Sequence, residues 1–123
     1  LMNFSMDSKD CFSLVLIGQP MLNNILEKQI HEALKQRIII NYNFEGISED
    51  ESIEYIHTRL SLAGASIEIF DKNAVLAAFR SCMGSVRRLN MILYKSLIIG
   101  AQHEKNIIDT DIIMAAANEI SLL

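Results

Sequence analysis

Ser48-Glu49-Asp50-Glu51-Ser52-Ile53-Glu54-Tyr55-Ile56-His57-Thr58-Arg59-Leu60-Ser61-Leu62-Ala63-Gly64 carries both a start and a stop for a helix. Ser48 and Glu51 have the capping-box spacing, at which each side chain satisfies an orphan backbone N–H near the other residue. Ile53, Ile56, Leu60 and Ala63 follow at intervals that align them on one side of a helix, and Gly64 suits a left-handed stop. Downstream the pattern recurs. Asp71 is placed to cap a second helix, with Val75, Leu76, Phe79, Cys82 and Met83 inward and Gly84 ending it. A third helix runs from near Ser85 to about Gln102, with Val86, Leu89, Leu93, Leu97 and Gly100 on its inner face. A fourth starts at Asp109 or Thr110 and carries Ile112, Ile113, Ala116 and Ile120. The expectation is a mainly α, four-helix domain over 48–123.

Upstream the period changes. Phe12-Ser13-Leu14-Val15-Leu16-Ile17 is a short apolar run closed by Gly18-Gln19-Pro20. Continuous hydrophobicity of this length suits a strand buried on both faces of a parallel sheet. Pro20 suits the first turn of a helix, where its missing N–H costs nothing. That helix is expected to run through about Arg37, with Leu22, Ile25, Leu26, Ile30, Ala33 and Leu34 along one side. Ile38 to Phe44, β-branched and alternating at its end, predicts a second strand. Residues 1–47 therefore read as a strand–helix–strand remnant of an α/β core.

Two strands and one helix cannot complete a parallel sheet, whose strands need neighbours on both edges and helices on both faces. The missing strands are expected upstream of Leu1. A chain that begins with Leu rather than Met, and whose Leu1-Met2-Asn3-Phe4 reads as the last turn of a helix, fits that expectation. An open sheet edge also predicts strand-mediated self-association of the isolated chain.

Composition narrows the class. Half of the 123 residues are apolar, 21% are charged and the net charge is −4, a balance that suits a folded, soluble domain rather than a disordered one. No apolar run approaches the roughly 20 residues needed to span a bilayer, and no signal peptide opens the chain, so a cytoplasmic setting without membrane insertion is expected. The acidic balance argues against this segment alone clamping nucleic acid, which needs a basic footprint. Cys11 and Cys82 lack metal or redox spacing and read as buried free thiols, with a single disulfide between them as the alternative. Asn3-Phe4-Ser5 matches a glycosylation sequon, a short pattern that arises by chance.

Few residues invite chemistry. Gly84-Ser85-Val86-Arg87-Arg88 puts two arginines in the first turn of a helix, where the dipole disfavours cations. The same place receives phosphate well, because backbone N–H groups and guanidinium converge on one anion. The alternative is that both arginines reach solvent or pair with acidic side chains. Arg37 ends the first long helix, where a cation also serves as a simple cap. Gln19 follows the apolar strand at its carboxyl end, the edge where open α/β sheets bind ligands, although a Gln before Pro is also an ordinary turn residue. His31, His57 and His103 share no metal-site spacing, and Glu49, Asp50, Glu51 and Glu54 form a solvated helix start. No Ser-His-Asp set, no paired catalytic carboxylates and no G-x-x-x-x-G-K-[ST] loop is present.

The pieces follow one another in a recognisable order. Leu14-Val15-Leu16-Ile17-Gly18-Gln19-Pro20-x-Leu22 is followed by Gln36-Arg37-Ile38. Then come Ser48-x-x-Glu51-x-x-x-Tyr55-Ile56-x-x-Arg59-Leu60-x-x-Ala63-Gly64 and Gly84-x-x-Arg87-x-x-Asn90. The ordered set resembles AAA+ ATPases of the general secretion pathway ExeA type and the TniB- and TnsC-like transposition ATPases, with the Orc/Cdc6 replication initiators as more distant kin. The resemblance implies the C-terminal half of such an ATPase: the tail of its nucleotide-binding core and its helical lid. It implies that Gln19 is the first sensor, orienting attacking water. It implies that Arg37 is an arginine finger reaching the γ-phosphate in a neighbouring subunit, and that Arg87 is the second sensor, contacting phosphates from the lid. Tyr55 and Ile56 fall where the first lid helix borders the adenine. The family has Gly-x-Pro-Arg at the second sensor; Val86 stands in place of that proline, which makes Arg88 a substitute candidate for Arg87.

The implied cofactor is ATP or ADP with Mg, bound by the parent protein and not by this segment alone, which is expected to be inactive. The implied partners are neighbouring subunits of a homo-oligomer, with nucleic acid reached only through other parts. Two further functions compete: a stand-alone helical adaptor for protein partners, and a small DNA-binding helical domain. An adaptor has no use for an orphan strand, and a DNA-binding domain would carry a basic recognition helix.

Overall fold

A computed structural model describes residues 12–121, which fall into two compact units divided between Asn43 and Phe44. The readings of Leu1–Phe4 as a helix tail, of the Asn3 sequon and of Cys11 as a buried thiol lie outside the described residues.

In the first unit, Pro20 opens helix α1 (Met21–Leu26) with helical backbone at φ −53°. The single helix expected from Pro20 to Arg37 is broken. Lys28 adopts an extended ψ of 139°, a 3₁₀ turn spans Gln29–His31, and a second short helix α2 covers Glu32–Lys35. Neither helix buries a residue. Helices this short depend on a packed apolar face, and without one a turn can break as easily as propagate.

The strands expected at 12–17 and 38–44 are not formed: the described residues contain no β-ladder, and both stretches are irregular. A strand exists only when a second strand takes its backbone hydrogen bonds, so an apolar run without a pairing partner stays unassigned. Ile17 at 93% and Ile39 at 96% relative exposure show how little covers these segments. Within this unit, the Asn23 amide donates to the Asn43 side-chain oxygen at 2.7 Å.

The second unit is a helical bundle: α3 (Glu49–Leu62), α4 (Lys72–Cys82), α5 (Val86–Gln102) and α6 (Thr110–Ser121). Its helix ends follow from the sequence signals. Ser48 N–H donates to the Glu51 carboxylate at 2.7 Å, and Glu51 N–H returns a 3.3 Å bond to Ser48 Oγ, completing the capping box. The Ser48 backbone N–H first, and then the Ser48 hydroxyl, hold the Glu51 carboxyl below its ordinary pKa. Ser85 accepts from Arg88 N–H at the start of α5, and Asp109 Oδ1 accepts from Ile112 N–H at the start of α6. Asp71 occupies the N-cap position of α4 but makes no side-chain cap bond; its N–H donates to Ile108 O at 3.0 Å instead.

The buried faces are Ala74, Val75, Ala78 and Cys82 on α4, Leu89, Ile92, Ser96, Ile99 and Gly100 on α5, and Ile112, Ile113, Ala116 and Ala117 on α6. α4, α5 and α6 pack closely on one another, while α3 leans chiefly on α4 and on a 3₁₀ turn at Ile67–Ile69. The inner face of α5 is rotated from the one expected: Leu97 is 37% exposed, while Ile92 and Ser96 are fully buried. Ser96 is accommodated because its hydroxyl donates to Leu93 O at 2.7 Å, so no buried donor is left over. Met83, expected inward, is 79% exposed. It has the left-handed backbone that ends α4, which directs its side chain off the buried face.

Both ends of the bundle are fastened by backbone. At one end Phe70 and Ile108 form an isolated parallel bridge between two loops, with Ile108 N–H donating to Ile69 O at 2.7 Å. At the other, Ile47 N–H donates to Gly84 O at 3.1 Å, holding the lead-in to α3 against the α4–α5 turn. Gly46 has a φ of +102°, and a Cβ there would lie 2.7 Å from Gly84 Cα, so only glycine fits.

Candidate functional site

The α4–α5 turn gathers the polar residues that the sequence singled out. α4 ends with Met83 and Gly84 both at positive φ, which reverses the chain sharply and leaves Ser85 free to cap α5. The first turn of α5 then presents Arg87 and Arg88 at the positive end of the helix dipole.

The two arginines have different surroundings. Arg87 is exposed, and its guanidinium makes no hydrogen bond or ion pair among the described residues. Arg88 is half-buried and engaged: its Nε–H donates to Ser81 O at 2.9 Å and a terminal N–H donates to Ser121 Oγ at 3.0 Å. One guanidinium thereby links the last turns of α4 and α6 to the first turn of α5. Only Arg87 is left to meet an anion at this helix start, where backbone dipole and side-chain charge reinforce each other.

Asn90, one turn beyond Arg87, is joined to α3. Its amide donates to Tyr55 Oη at 2.9 Å, and the Tyr55 hydroxyl faces Asn90 Oδ1 at 3.1 Å. Residues three apart on a helix are surface neighbours, so Arg87, Asn90 and Tyr55 share one face of the bundle. Ile56 differs from Tyr55: at 1% exposure it is a core residue, and the ligand-facing candidate on α3 narrows to Tyr55.

Gln19 and Arg37 lie in the first unit. Gln19 is exposed, and its carbonyl accepts from Leu22 N–H at 2.8 Å as α1 begins. Arg37 is exposed beyond the end of α2, with its N–H donating to Leu34 O at 3.0 Å. The structure thus gathers Tyr55, Asn90, Arg87 and Arg88 in the second unit, while Gln19 and Arg37 belong to the first.

The described residues contain no cluster of His, Cys, Asp and Glu that could hold a metal, and no helix long and apolar enough to cross a membrane. Cys82 is a free, fully buried thiol. The role of Ser121 as a partner of Arg88 was not visible in sequence, since the two are 33 positions apart. The Tyr55–Asn90 pair had a weak signal: both residues fall in the ordered pattern.

The chain is 33% identical over 117 residues to General secretion pathway protein A of Aeromonas hydrophila. That alignment covers 94% of this chain and 21% of the relative, so the chain spans about a fifth of the length of the curated protein it matches. No protein-family model matches the chain, and no solved structure matches it. The similarity to General secretion pathway protein A thus runs over nearly the whole of this chain.

Proposed function

We propose that this chain is the nucleotide-responsive lid, with the adjoining tail of the core, of an AAA+ ATPase that hydrolyses Mg-ATP within a ring or filament. Arg87 carries this reading: it is an exposed guanidinium on a capped helix start, in a bundle whose neighbouring arginine is already engaged. A lid arginine so placed can contact nucleotide phosphates and couple lid angle to nucleotide state. The similarity to General secretion pathway protein A supports the assignment and favours a role in secretion over one in transposition.

In this reading, 12–17 and 38–44 pair into a sheet with strands supplied by sequence outside these 123 residues, which accounts for their exposed apolar side chains. Gln19 orients the attacking water. Arg37 reaches the γ-phosphate bound by a neighbouring subunit and stabilises charge developing in the transition state. Tyr55 borders the base. Neighbouring copies are then obligatory partners, and nucleic acid is reached only through other parts.

The test is ATP hydrolysis and nucleotide binding by the full-length protein. Arg37→Ala should abolish hydrolysis and leave ATP affinity within about threefold, because a finger acts across the subunit boundary. Arg87→Ala should weaken nucleotide binding itself. Normal hydrolysis by Arg37→Ala, or unchanged affinity in Arg87→Ala, would defeat the assignment.

A further inference from the structure

We infer that Arg88 is a positioning residue, a clamp that ties the ends of α4 and α6 to the first turn of α5 and so fixes the direction in which Arg87 projects. The description of Arg87 as a phosphate ligand rests on the function proposed above; the clamp itself does not. Three contacts define it. Arg88 Nε–H donates to Ser81 O at 2.9 Å, a terminal N–H donates to Ser121 Oγ at 3.0 Å, and the Ser121 hydroxyl donates to Ala117 O at 2.9 Å. The backbone N–H of the same residue is held by Ser85 Oγ at 3.3 Å. Arg88 is thus fixed at both its main chain and its guanidinium, and the adjacent residue inherits that restraint.

The chemistry suits an arginine. The carbonyl ends of two helices carry partial negative charge and favour a cation. A planar guanidinium holds its Nε–H and terminal N–H donors at fixed, separated positions that reach a carbonyl and a hydroxyl on different helices, whereas an ammonium gathers its three donors on one atom. The clamp also explains how two arginines can begin one helix: Arg88 is drawn to the negative ends of α4 and α6, and Arg87 alone projects outward.

The test uses the whole 123-residue chain in solution. Arg88→Gln should speed native-state amide exchange at Ala117–Ser121 by about tenfold, as loss of a charge-assisted hydrogen bond implies. Ser121→Ala should do the same in part, Ser121→Thr should restore protection, and Arg87→Gln should leave it within about twofold. A fold-neutral readout accompanies these: the Arg87 Nε–H resonance should move in Arg88→Gln and Ser121→Ala and return in Ser121→Thr. Sodium tripolyphosphate is the anion probe, expected to shift the Ser85–Arg88 amides in the wild type and not in Arg87→Gln.

Unchanged exchange and an unmoved Arg87 resonance in both Arg88→Gln and Ser121→Ala overturn the clamp. Loss of the tripolyphosphate response in Arg88→Gln with full α6 protection would make Arg88 the ligand and also overturns it. Exchange and resonance changes as expected, with no response to tripolyphosphate in the wild type, uphold the clamp and count against the nucleotide reading instead. Should Arg88→Gln fail to fold, Ser121→Ala and Ser121→Thr decide alone.

Discussion

Replacing Gly46 with alanine should be among the most damaging one-carbon changes in the helical unit. Two costs can be separated. The first is conformational: an L-residue at φ +102° costs about 1–2 kcal/mol by analogy with the left-handed region. The second is steric. The new Cβ would lie 2.7 Å from Gly84 Cα and 2.8 Å from its carbonyl carbon, and would overlap the carbonyl oxygen, all of them backbone atoms that no side-chain rotation can move aside. Relieving the overlap separates the two strands of chain and breaks the Ile47 N–H···O=C Gly84 bond, worth about 1 kcal/mol. The sum is about 2–4 kcal/mol, or a fall in melting temperature of about 15 °C for a unit of this size. Gly64 is the internal control. Its φ is +75°, but nothing lies within 4 Å of the added carbon, so Gly64→Ala incurs the conformational cost alone. Thermal and urea melts of both variants, followed by helical circular dichroism, isolate the steric part as the difference. A Gly46→Ala variant no less stable than Gly64→Ala would refute the packing of residues 44–47 on the α4–α5 turn.

Other consequences are quickly tested. Leu89→Ala should cost about 2–5 kcal/mol because its side chain is fully buried, whereas Leu97→Ala, on a face 37% exposed, should cost less than about 1.5; equal costs would mean that α5 is rotated from the observed register. The capping box makes acid stability depend on Glu51. Its folded pKa lies below its unfolded one, so its contribution is complete above the ordinary glutamate range and is lost as pH falls through the folded value. The stability difference between wild type and Glu51→Ala, read from urea midpoints, should therefore shrink on acidification, and a constant difference would exclude the carboxylate as its source. Cys82, fully buried, should resist alkylation until the bundle unfolds, as peptide mass spectrometry would show; rapid native labelling would contradict the core described here.

The helical unit was readable because its signals are local. Ser48 and Glu51, Gly64, Ser85 and Asp109 each act on backbone within a few positions, and those distances are visible in a sequence. The register of α5 was harder. Leucine and isoleucine nearly encircle this helix, so Leu93 and Leu97 made as plausible a stripe as Ile92 and Ile99, and the polar Ser96 obscured the true one. What fixes the register is packing against α4 and α6, a non-local effect. The Phe70–Ile108 bridge escaped for the same reason. Residues 12–44 show the opposite limit: apolar composition reports that a segment wants burial, but a strand is a property of two paired segments, and neither apolar stretch is paired among the described residues. At the site, Arg87 and Arg88 are the same residue type on adjacent positions. Their difference lies in Ser81 and Ser121, which only the fold brings within reach.

The parallel bridge has a mechanical meaning as well. Phe70 and Ile108 lash together the loops at the end of the bundle remote from Arg87, and Gly100 of α5 seats directly against Ile108 there. α5 has 17 residues and so runs about 25 Å from this fastening to its first turn. Were the bundle as a whole to turn about this fastening, the bridge would be a pivot and Arg87 would ride at the tip of a lever. A tilt of about 5° about the pivot carries that tip about 2 Å at this helix length, the difference between a hydrogen bond made and one lost.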